Sequence, residues 1–191
     1  MSNEPCLLTP SQTVGPYFTL GLTPDNVETG FGPLITNEIR GDGEPITIRG
    51  KVFDGAGVPV NDAMLEIVQA DGNGCLNAPG FPGFARAGTG EAADNSYTFK
   101  TVKPGPLGGE ETPYICVIVF MRGMLRHACT RIYFADETGN PNDPVFSRLP
   151  ADRRETLLAR RVETADAVSY EFDIHMQGER ETVFFSLADA I

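Results

Sequence analysis

The chain contains no apolar run approaching the roughly 18–20 residues that a membrane span needs, so a membrane partner is not expected. Basic residues are also scarce. Fifteen Lys and Arg against 26 Asp and Glu leave a formal net charge of −11. That balance argues against nucleic acid, because phosphate binding runs on an excess of Lys and Arg. Histidine occurs only at 127 and 175, whereas a zinc or non-haem iron site needs three or four converging ligands. Four cysteines, at 6, 75, 116 and 129, form no C-x-x-C pair. In a chain long enough not to need disulfide staples they read as free thiols. The opening segment MSNEPCLLTPSQTVGPYF lacks a basic n-region followed by an apolar h-region, so no export signal is expected and the predicted compartment is the cytoplasm.

Motif-level absences follow the same line. There is no G-x-S-x-G, and neither histidine has a Ser or Cys partner in a motif context. GTGEAADNS lacks the G-K-[ST] of a phosphate-binding loop. ADGNG (70–74) resembles the opening of a calcium loop, but its twelfth position is Pro82 instead of Glu, so it reads as a turn.

What is present is strand. The 191 residues suffice for one domain with a proper core, and 41% hydrophobic content fits a globular chain. ITIRGKVFDGAGVPVNDAMLEIVQAD (46–71) alternates, breaks at Asp-Gly-Ala-Gly and resumes, as a hairpin or tight strand connection does. NSYTFKTV, YICVIVFMRG, RHACTRIYFAD and ETVFF add further strands. SYEFDIHMQG puts Tyr170, Phe172, Ile174 and Met176 on one face. Residues 77–90 read as a loop. One segment, 150–163, reads as a helix, with Asp152 and Glu155 as a capping box. Its Arg153, Arg154, Arg160 and Arg161 then form a solvated face with acidic partners or, alternatively, an anion-recognition patch. Short strands broken by 21 Gly and 15 Pro predict a mainly β chain, a β-sandwich with one short helix in its C-terminal half and an extended N-terminal arm. The expected organisation is a single domain over 1–191, with the arm at 1–40 and the core at 41–191.

On one strand, His127, Cys129, Arg131 and Tyr133 share a face by period-two alternation. Two metal-ligand types on one strand do not make a site. A stand-alone enzyme holding a different metal with His127, Cys129 and Tyr133 nevertheless remains one alternative.

A resemblance carries further than these residues alone. IRGKVFDGAGVPVNDAMLEIVQADGNG (48–74) resembles the signature of the intradiol ring-cleavage dioxygenases. TVKPGP (101–106), RIYF (131–134), YEFDI (170–174) and ETVFF follow in that family's order, and TPSQTVGPYF (9–18) resembles its Ser-Gln-Thr-x-Gly-Pro segment. In catalytic members two tyrosines and two histidines hold a mononuclear ferric ion. The resemblance puts those four ligand positions at Leu76, Leu107, Tyr114 and Cys116, and all four depart from the pattern together. It therefore implies a chain without metal of its own. The implied partner is a homologous β subunit that holds Fe(III), in αβ units of a larger oligomer acting on 3,4-dihydroxybenzoate and O2. It further implies that Thr13, Gly15 and Pro16 border the substrate pocket and that Arg131 lies near the substrate carboxylate. The alternatives at those positions are an ordinary turn at the start of an arm and, for Arg131, a structural ion pair with one of the many acidic residues. At the level of the whole chain, the alternative is a non-enzymatic binding module that kept the dioxygenase scaffold.

Overall fold

The computed structural model describes residues 9–15, 18, 22–23, 35–163 and 168–186. Among these residues nine strands follow in chain order: β1 Pro45–Phe53, β2 Met64–Val68, β3 Phe84–Gly88, β4 Ser96–Val102, β5 Tyr114–Phe120, β6 Ala128–Phe134, β7 Leu158–Glu163, β8 Val168–Glu171 and β9 Ile174–His175. They form one hydrogen-bonded path, β3-β2-β5-β6-β7-β8-β1-β4, with β9 added to β1. The path folds over at β7. Leu158 and Ala159 pair in parallel with Tyr133 and Phe134 of β6, and Arg160 to Glu163 pair antiparallel with β8. One strand thus belongs to two sheets, a corner by which sandwiches turn from one layer to the next.

The core lies between the layers. Ile46, Ile48 and Val52 of β1, with Tyr97 and Phe99 of β4, face Leu65 and Ile67 of β2, Ile115, Val117 and Val119 of β5, and Ile132 and Phe134 of β6. The period-two alternation read from the sequence produces this directly, because one register sends every second apolar side chain to the same face. Tyr170, Phe172 and Ile174 are buried as their alternation predicts, with Met176 packed against them.

Some readings are corrected by the packing. Residues 150–163 are not an α-helix. Residues 150–153 form a turn, Arg154–Leu157 is a single 3-10 turn without a side-chain cap, and the remainder is β7. Helical propensity is a weak prior, and here the open edges of β6 and β8 take the segment as their common partner. Its arginines disperse accordingly: Arg153 and Arg154 donate to the carbonyls of Glu181, Leu149 and Ser147, while Arg160 and Arg161 meet carboxylates. The loop predicted for 77–90 contains β3, whose Ala85 and Ala87 enter the core. Of the two forms left open for 46–71, the tight strand connection is the one adopted, because β1 pairs with β4 and β2 with β3 and β5. The Asp54 turn carries the chain between layers, Asp54 Oδ1 accepting from the amides of Ala56 and Val58 at 2.9 and 2.8 Å. ETVFF contributes one isolated bridge, Phe185 to Cys129.

The described part of the arm is anchored at two places. Residues 36–39 lie along the open side of the sandwich, where the Arg86 amide donates to Thr36 and the Lys100 amide to Asn37, each at 3.0 Å. That covers edges which would otherwise invite another chain. Further upstream, the Gly123 amide donates to Thr13 Oγ1 at 2.8 Å, fixing the arm to the hairpin between β5 and β6.

Candidate functional site

Two glycine turns bring the distant positions together. Asp71 Oδ1 accepts from the amides of Asn73 and Cys75 at 3.0 and 2.8 Å, so the carboxylate closes the turn as the sequence implies. The turn packs backbone to backbone on Lys103–Pro106, with the Gly105 amide donating to Asp71 O at 2.8 Å. Gly74 has φ +82°, and a Cβ there would stand 1.9 Å from the Pro106 carbonyl oxygen. A Cβ on Gly105 would stand 2.6 Å from the Gly74 nitrogen. Only glycines permit this approach, and it sets Leu76 beside Leu107.

Tyr114 and Cys116 reach the same point from the outer face of β5. Leu76, Leu107, Tyr114 and Cys116, with Val68 and Gly105, line one cavity of about 10 Å³, about the room that a single water needs. Four positions spread over forty residues of sequence therefore do converge, as the resemblance implied.

Their chemistry does not fit a ferric ion. Two are hydrocarbon side chains. Burial, with Cys129 next to it, pushes the Cys116 thiol up to about 11, which disfavours the thiolate that a metal takes. Burial also raises the Tyr114 phenol, with the Arg131 charge working against that. Among the described residues no group of three His, Cys, Asp or Glu side chains is arranged to hold a metal ion. The two histidines are far from the cavity in other surroundings: His127 is exposed ahead of β6, and His175 stacks on Phe53 with ring centroids 4.8 Å apart.

Behind the cavity stands a cation. Arg131 pairs with Cys116 across the β5–β6 ladder, and its guanidinium carbon lies 3.9 Å from the Tyr114 ring centroid. Arg131 Nη1 donates to Tyr133 Oη at 3.1 Å, and Tyr133 in turn donates to Asp143 Oδ1 at 3.1 Å. Asp143, fully buried, also accepts from the amides of Thr112, Val145 and Phe146 at 3.1, 2.9 and 2.9 Å. Burial opposes the Arg131 charge, but the hydrogen bond to Tyr133 and the electrostatic attraction of Tyr133, Tyr114 and Asp143 together outweigh it, and the guanidinium is held more firmly protonated than usual. Only 3% of Arg131 is exposed. In this chain the guanidinium is thus linked to a carboxylate through a phenol, the Tyr133 hydroxyl lying between Arg131 and Asp143.

The residues assigned to the substrate are not gathered in one place. Thr13 and Gly15 are exposed on the arm by the Gly123 turn, at the opposite end of β5 from Tyr114. Arg131 is inside, and Pro16 lies outside the described residues. Sequence reasoning missed Asp143, Thr112 and Asn140. The signal available was the Asn-Pro-Asn-Asp-Pro run at 140–144, whose turn-forming residues bury a carboxylate at a chain reversal.

No family model matches the chain. Among solved structures, the dioxygenase domain of a dioxygenase–carbohydrate-binding fusion from Streptomyces sp. SirexAA-E superposes with a TM-score of 0.60 at 26% identity, covering 85% of this chain and 99% of that one. An intradiol ring-cleavage dioxygenase from Tetranychus urticae shares the fold with a TM-score of 0.59 at 18% identity, covering 81% of this chain and 93% of that one, so the fold is of the intradiol dioxygenase class. The relatives narrow it. The protocatechuate 3,4-dioxygenase alpha chain of Burkholderia cepacia is 48% identical over 94% of this chain and 97% of its own length. The corresponding beta chain from the same organism is 31% identical over 80% of this chain and 75% of its own length. This chain belongs to the family of protocatechuate 3,4-dioxygenase alpha chains.

Proposed function

We propose that the chain is the metal-free α subunit of a cytoplasmic protocatechuate 3,4-dioxygenase, in which a homologous β subunit holds the Fe(III). The assembled enzyme cleaves 3,4-dihydroxybenzoate with O2 to 3-carboxy-cis,cis-muconate. The observation that carries this reading is the joint loss of donors at one point. Leu76, Leu107, Tyr114 and Cys116 still surround a single cavity but offer no ligand set for iron. Kinship to a beta chain as well as to an alpha chain supports a two-subunit assembly.

In that assembly this chain supplies shape and contacts. Thr13, Gly15 and Pro16 border the β subunit's pocket, where Gly15 lets a ligand approach the backbone. Arg131 acts from behind, as part of the scaffold that keeps β5 and β6 in place.

The test is iron content and oxygen uptake with 3,4-dihydroxybenzoate, for the chain alone and co-expressed with its homologous β chain. The chain alone is expected to be iron-free and inert, and the co-purified pair to carry stoichiometric iron and consume oxygen. Metal and activity in the isolated chain would overturn the proposal.

A further inference from the structure

The four replaced ligands are not the whole difference between this site and one that binds metal. Among the described residues Arg131 is the sole buried Lys, Arg or His, and it stands at the emptied site. Tyr114 and Cys116, the two positions where the resemblance puts imidazoles, are the residues it stacks on and pairs with. Directly opposed side chains on an antiparallel pair have Cβ atoms about 4.5–5.5 Å apart. A metal ion held from positions 114 and 116 would therefore sit against a fixed positive charge. The compensating carboxylate, Asp143, is one phenol away and occupied by three amides and Tyr133. Its charge is committed to the guanidinium and cannot be lent to an incoming ion.

We infer that the Arg131 guanidinium has taken the place of the metal as the buried cation of this site, and that it closes the site to metal independently of the loss of the ligands. The chain then refuses iron twice, once for want of donors and once by repulsion. Two unit charges a few ångströms apart interact strongly wherever water is excluded, so the second barrier operates even after donors are restored. This inference rests on the metal-free reading above, but its test reads metal binding by this chain and not the activity of the assembly.

Two variants of the full chain separate the barriers. Tyr114→His/Cys116→His restores the imidazole pair and keeps Arg131, and a second variant adds Arg131→Gln. Each is titrated with Cu(II), with the parent chain as blank for His127, His175 and the terminus. At least about tenfold tighter copper binding is expected when Arg131 is removed, a difference of about 1.4 kcal/mol. Equal binding by the two variants overturns the inference, and so does absence of binding in both, since removing the cation was to open the site. Should the triple substitution prevent folding, single substitutions suffice. Arg131→His faces Cys116 with a neutral ligand and is expected to give a thiolate-to-cobalt absorption band with Co(II). Arg131→Lys keeps the charge and is expected to give none. The same spectrum from both overturns the inference. Iron bound by the unmodified chain would instead defeat the metal-free reading itself.

Discussion

Replacing Tyr133 by Phe removes one oxygen and leaves the ring in place. The ring packs edge-on against Phe146 with centroids 5.0 Å apart and tilts against Tyr114 at 5.9 Å, contacts that Phe retains. What disappears is the relay: Arg131 Nη1 loses an acceptor and Asp143 Oδ1 loses one of three donors. Hydrogen bonds to charged groups contribute roughly 1.5–3 kcal/mol each, but the two share a hydroxyl and are not independent. A total loss of about 1.5–3 kcal/mol is therefore expected. At about 2–4 °C per kcal/mol for a chain of this size, Tm falls by roughly 3–12 °C. Calorimetry or near-ultraviolet dichroism of the chain measures it. A double-mutant cycle adds the decisive arm. In an Arg131→Gln background the same Tyr133→Phe change costs less, because the guanidinium is no longer there to be abandoned. An unchanged Tm, or an equal cost in both backgrounds, would refute the relay.

Two other outcomes follow from the same region. Gly74→Ala places a methyl 1.9 Å from the Pro106 carbonyl at φ +82°, so it forces the two glycine turns apart. Gly57→Ala has a similar φ of +76° but nothing near it, so it costs only backbone strain of about 1–3 kcal/mol. The Gly74 variant should unfold at clearly lower urea than the Gly57 variant, and equal midpoints would mean that the turns do not depend on close approach. Iodoacetamide at mildly alkaline pH should label the exposed Cys75 while leaving Cys116, held up to about 11, and the buried Cys129 intact until the chain is unfolded. Peptide mass mapping reads this out, and rapid labelling of Cys116 in the native chain would contradict the burial described.

The strands were legible wherever alternation was strict, as in Tyr97/Phe99 and Tyr170/Phe172/Ile174, because a period of two leaves one register with a buried face. The segment 150–163 was misread for the opposite reason. Leu157 and Leu158 with flanking arginines suit a helix locally, and nothing in those residues announces that β6 and β8 each lack a neighbour. FARAG was hidden among glycines and prolines, although Arg86 meets Glu66 at 2.5 Å across the β2–β3 pair. Family order singled out Leu76, Leu107, Tyr114 and Cys116, and in the fold these four line one cavity. Arg131 was flagged by type, but its burial was not legible. Whether an arginine looks outward or into the protein depends on what lies over its strand, and the covering turn with Asp143 comes from a stretch whose role only tertiary packing reveals.

The double membership of β7 has a consequence for how the chain comes apart. A sandwich whose layers meet only through side chains can lose one layer while the other persists. Here Ala159 and Arg160 are consecutive residues, yet the first hydrogen-bonds into the layer of the cavity and the second into the layer of β1. Releasing that strand strips an edge from both at once. The cavity with its buried cation is thereby tied to the far side of the domain by main-chain bonds, and local opening at either end becomes a question of global stability.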